Sequence, residues 1–220
     1  MKEKFTLAEI ESYFRKVAKV SGLGWGLAEE AGKAARWLAA FDLPGPELML
    51  NHLVSIMGKD YSLMKPQWPQ SKNAIWQSSG DSLCPIITGA AVADCVSQML
   101  AGETIKLSRV SYPILLAATI GQAARCHKTV FSTSWAGVEL SCHENGIRIE
   151  GNRDDLLLAQ TDRVSCMQAP VRSAQQLPST LAYAIDADIW RRVDEFAFKT
   201  YAPATELSRV GAGAGLTDND

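Results

Sequence analysis

Residues 129–150 read TVFSTSWAGVELSCHENGIRIE. Apolar and polar side chains alternate through Val138–His143 and again through Ile147–Glu150, the period of a half-buried strand. Between them stand Asn145 and Gly146, residue types that accept the left-handed backbone of a tight turn. A β-hairpin is therefore expected, with Thr129–Trp135 as a further strand just before it.

Working upstream, Ile114, Leu115, Ala117, Ala118, Ile120 and Ala124 make 112–126 apolar on most sides. That pattern predicts a central helix. Thr104–Leu107 reads as a short strand ahead of it, so the order strand, helix, strand predicts a right-handed βαβ crossover. Downstream, a strand is expected within 156–168, followed by a polar connection, Pro170–Pro178. The middle of the chain thus carries a small mixed sheet of about four to six strands.

Both ends read as helix. Thr6 and Glu9 form a capping box, and Leu7, Ile10, Phe14 and Val17 recur at helical spacing over 7–20. A second helix spans 26–41, with Leu27, Ala31, Ala34, Leu38 and Phe41 on its inner face. Pro44-Gly45-Pro46 ends that run, and Pro46 is placed to open a third helix through Met57. Residues 58–83 follow neither period and read as a long loop, the kind that often serves as a binding loop. Pro85 opens a helix expected over 85–101, with Asp81 or Ser82 as its cap. The last helix is expected over 187–200. The fold class is α+β: a helical N-terminal part and a C-terminal helix packed on a small mixed β-sheet with a β-hairpin. We expect a single domain over 1–220, within which 1–57 would form a helical subdomain.

Composition bounds the function. The chain has 220 residues, 47% hydrophobic and 21% charged, with a net charge of −2. That balance is ordinary for a globular protein, and a chain this long buries enough surface to need neither a disulfide nor a metal. A net negative charge argues against nucleic acid, which demands a surplus of Lys and Arg. No stretch reaches the roughly 20 apolar residues of a membrane span. Met1-Lys2-Glu3-Lys4 runs into a polar helix rather than an apolar export signal. The five cysteines (Cys84, Cys95, Cys126, Cys142, Cys166) form no CxxC and no disulfide framework, so they are expected as reduced thiols in the cytoplasm.

Few residues carry a chemical signal. Gly80-Asp81-Ser82-Leu83 imitates a serine-hydrolase signature, but no histidine follows His143 to act as its base. Cys126-His127 and Cys142-His143 invite zinc, yet Cys142 and His143 as strand neighbours face opposite ways, and Cys126 and His127 lie at a helix end where basic residues suit the dipole, so we assign no metal. Cys84 lies at a helix N-terminus, where free N–H groups favour a thiolate, and is a candidate nucleophile. Glu29 and Glu30 are candidate acids or bases beside the Trp25 ring, a candidate ligand contact. Arg209 and Asp218 are candidate ligand contacts in the C-terminal tail, Arg209 for an anionic group.

Trp25-Gly26-Leu27-Ala28-Glu29-Glu30-Ala31-Gly32 and the ending Gly-Ala-Gly-Ala-Gly-Leu-Thr-Asp-Asn-Asp resemble a bacterial family of uncharacterised proteins, a domain of unknown function. The resemblance implies a bacterial cytoplasmic protein and supplies no activity, cofactor or site. Two readings stay open. One is a small-molecule-binding protein or enzyme with its site near loop 58–84 and the C-terminal tail. The other is a non-catalytic subunit or homo-oligomer whose glycine-rich tail docks on a partner.

Overall fold

The structure, a computed structural model, describes residues 1–68, 74–170 and 179–200. Arg209, Asp218 and the glycine-rich ending lie outside the described residues.

Three helices open the chain: α1 (Leu7–Val20), α2 (Trp25–Ala40) and α3 (Gly45–Ile56). The capping box holds the start of α1, with Glu9 N–H donating to Thr6 Oγ1 at 3.2 Å and Thr6 N–H donating to Glu9 Oε2 at 2.7 Å. Its stripe of Ile10, Phe14, Val17 and Ala18 is buried. Helices α1 and α2 approach closely at Gly32, where a side-chain carbon would stand 2.6 Å from the Glu11 carbonyl. Arg36 then bridges to Glu11 at 2.6 Å, tying the two helices at their surface.

The main sheet has six strands in the order β2-β3-β9-β5-β6-β7: β2 (Ile75–Trp76), β3 (Ile105–Leu107), β9 (Val164–Gln168), β5 (Phe131–Trp135), β6 (Val138–Cys142) and β7 (Ile147–Glu150). Only β2 and β3 pair in parallel, so the sheet is mixed. Strands β3 and β5 both run antiparallel to β9 between them, and are therefore parallel to each other as a βαβ crossover requires. The expected β6–β7 hairpin is present, closed by His143 N–H donating to the Gly146 carbonyl at 2.8 Å. A second, tighter hairpin joins β5 to β6. Its loop residues Ala136 and Gly137 have φ of 45° and 82°, the left-handed pair of a type I′ turn.

Two small ribbons complete the β structure. Strand β1 (Lys2–Thr6) pairs antiparallel with β10 (Ala182–Asp186), and β4 (Val110–Ser111) pairs with β8 (Gln160–Thr161). The first ribbon brings the N-terminus beside α8 (Ala187–Phe198), which packs on α1. Helix α7 (Arg153–Leu156) is a single turn. A contiguous buried core runs from α1–α3 through the sheet, joining Phe14, Leu38 and Leu53 to Phe131, Leu140 and Cys166.

Two expected helices are interrupted. The segment 85–101 is α4 (Pro85–Asp94) and α5 (Val96–Leu100), broken at Cys95. The segment 112–126 begins as a 3₁₀ turn, Pro113–Leu116, and becomes α6 (Ala117–His127) only afterwards. Tyr112 enters that turn with φ of 44°, a left-handed backbone that interrupts helix growth. Neither Asp81 nor Ser82 caps α4. The N-cap is Cys84, and Pro85 takes the first helical position, where its missing N–H costs no helix hydrogen bond.

Candidate functional site: a groove between three helices

Helices α2, α4 and α6 meet around a groove of about 630 Å³. Small residues make the meeting possible. At Gly89 on α4 a side-chain carbon would stand 2.7 Å from Thr119 Oγ1 on α6. At Gly121 on α6 it would stand 2.6 Å from Cε2 of Trp37 on α2. The helices thus approach at these glycines, and the Trp37 indole fills the Gly121 notch and packs edge-on against Phe41, ring centroids 4.8 Å apart.

The groove floor is apolar, built from Ala34, Ala90, Ala93, Ala118 and Ala123 beside Trp37. Thr119 adds a hydroxyl between α4 and α6, and the charged groups stand at the edges. Glu30 and Lys33 lie on the α2 edge and pair at 2.8 Å. That contact holds the Lys33 ammonium above its ordinary pKa, with Glu29 and Glu11 adding to the effect. Asp94 closes α4, and Gln122, Cys126 and His127 line the α6 edge. Cys126 is exposed, whereas Cys84, Cys95, Cys142 and Cys166 are buried. An apolar floor with few polar groups at the rim, in a volume of this size, is the usual form of a small-molecule pocket.

At the other end of α4, about 15 Å along the helix axis from Asp94, lies a different arrangement. His52 Nε2 stands 3.2 Å from Cys84 Sγ, and its Nδ1 is 3.5 Å from Ser111 Oγ. Ser111 Oγ in turn donates to the Leu83 carbonyl at 3.2 Å. With that donation fixed, the ring proton belongs on Nδ1, and the thiol donates to Nε2. His52 and Cys84 are both buried. Burial lowers the His52 pKa to about 3, with Lys59 pushing the same way. Burial also raises the Cys84 thiol to about 11, against the lowering effect of the Ile87 and Ile86 N–H groups. Desolvation therefore wins over the helix terminus, and the pair is a neutral thiol and a neutral imidazole. Tyr61 lies nearby and donates to the Ser21 carbonyl, pinning the start of loop 58–84 over this cluster.

The residues singled out in the sequence fall in separate places. Glu30 lines the groove and Glu29 is exposed one position before it. Trp25 is 63% exposed, with Lys19 Nζ 5.2 Å from its ring centroid. Cys84 sits in the buried cluster, away from the groove. His52 escaped the sequence reading. Its signal was position alone, since it shares the inward face of α3 with Met49, Leu53 and Ile56.

Among the described residues, these features define an α+β protein with a three-helix groove and a buried thiol–imidazole pair. Residues 5–85 match the model of a protein family of unknown function, DUF3726, so the resemblance to an uncharacterised family holds over that segment, which includes the Trp25–Gly32 stretch. No curated protein matches the chain. Among solved structures, a dehydrogenase from Sinorhizobium meliloti is similar at a TM-score of 0.59 and 8% identity, over 90% of this chain and 100% of that one. A malate dehydrogenase from Entamoeba histolytica gives a TM-score of 0.44 at 7% identity, over 74% of this chain and 49% of that one. At such identities the first likeness shows a shared fold alone. No helix among the described residues is long and apolar enough to cross a membrane.

Proposed function

We propose that this protein binds a small molecule in the groove between α2, α4 and α6. The supporting observation is the groove itself: an alanine floor and the Trp37 ring, with Glu30, Asp94, Gln122 and His127 at the rim. A bound compound stabilises the folded state by mass action. A thermal-shift screen of metabolites on the wild type and on Ala93→Trp tests the assignment. The variant places an indole in the groove from the half-buried Ala93 position of α4. Compounds that raise the wild-type Tm and lose that effect in Ala93→Trp are the expected result. Equal shifts in both proteins would place the site elsewhere.

On this reading the chain acts as one unit in the bacterial cytoplasm. Its five unpaired thiols fit a reducing compartment. Glu30 is the sequence-picked residue placed to touch the ligand. A second reading, a homo-oligomeric or interaction subunit, draws on the exposed apolar side chains Trp68, Leu181 and Phe198. Light scattering decides it: a monomer at micromolar concentration would remove the homo-oligomer.

A further inference from the structure

The charges around the groove are unequal. Lys33 on the α2 wall is the only Lys or Arg among the described residues that lines the groove, and three carboxylates, Glu30, Glu29 and Glu11, act on it. Of the carboxylates that line the groove, Glu30 is matched by Lys33, and no ion pair is seen for Asp94 among the described residues. On the opposite wall Asp94 is exposed at the last position of α4, where the helix dipole is also negative. Arg125, the nearest arginine on α6, is turned along its own helix to Gln122 Oε1 at 2.8 Å. His127 is exposed at the end of α6. The groove therefore pairs an apolar slot with one carboxylate, Asp94, that no lining cation among the described residues matches.

We infer that the groove takes a small molecule with a flat apolar body and one protonated amine, the amine seated at the Asp94 edge. The inference rests on the ligand-site reading above and narrows it to a class. The Trp37 ring and the opposing alanines accept the apolar body, and the carboxylate accepts a charge-assisted hydrogen bond from the ammonium. An anion of the same shape would meet Asp94 with like charge.

Three matched probes test this: phenethylamine, phenethyl alcohol and hydrocinnamate, titrated calorimetrically into the full-length wild type, Asp94→Asn and Ala93→Trp. Phenethylamine should bind tightest. Asp94→Asn should weaken it about fivefold or more while leaving the alcohol unchanged, and added salt should weaken the amine alone. Hydrocinnamate binding as well as the amine, an equal loss of amine and alcohol in Asp94→Asn, or no amine binding at all would each overturn the amine class. Ala93→Trp separates the two claims. Probe binding that persists there overturns the groove as the site, whereas binding abolished there with the wrong charge preference overturns only the amine.

Discussion

Trp37 and Gly121 interlock: the indole of one occupies the space that any side chain on the other would need. This contact fixes the distance between α2 and α6, and with it the width of the groove. Gly121→Ala should therefore destabilise the protein by about 1–3 kcal/mol, the usual penalty for overpacking. Urea denaturation checks the magnitude. A loss below about 0.5 kcal/mol would mean that Trp37 moves freely and does not set the groove.

The β5–β6 turn holds Ala136 at φ of 45°, a backbone that an alanine adopts reluctantly. Asparagine tolerates it and is favoured before glycine in a type I′ turn. Ala136→Asn should stabilise by about 0.5–1 kcal/mol, read as a higher denaturation midpoint with an unchanged slope.

The buried His52 makes stability depend on pH. Its imidazole resists protonation down to about pH 3 in the folded chain, against an ordinary value of 6.5. Below pH 6.5 the unfolded chain binds a proton that the folded one refuses, so stability is lost as pH falls from 6.5 toward 3. Glu9 and Asp60, whose carboxyls are held below their ordinary values by Thr6 and Ser62, lose stability in the acid range too. A variant isolates the histidine. His52→Gln should lower Tm at pH 7.5 and flatten its decline between pH 6.5 and 4. An unchanged slope would show that His52 does not carry the effect.

Much of the fold was legible because its period was strong. Helix α1 has a single apolar stripe and a capping box, and β6 and β7 alternate cleanly, so each was readable from local sequence. Strand β1 was not, because Lys2, Glu3 and Lys4 are exposed in a ribbon paired only with the distant β10. The break at Cys95 and the left-handed Tyr112 carry no glycine at the position itself to mark them. The groove was invisible for a different reason. Its floor is alanines from three helices far apart in the chain, residues that read equally well as packing surface. Cys84 was legible as a helix-terminal thiol, but burial beside His52 reverses the chemistry that position suggests.

Cys126 offers the most direct test of the groove, because it is the exposed thiol of the five and lies on the groove wall. The measurement is its alkylation rate in the native protein at pH 7.5, with and without a compound that raises Tm. The account predicts one rapidly modified thiol per chain, at Cys126, slowed in proportion to occupancy of the groove, with Cys84 unmodified until the protein unfolds. A compound that raises Tm while leaving the Cys126 rate unchanged would contradict it.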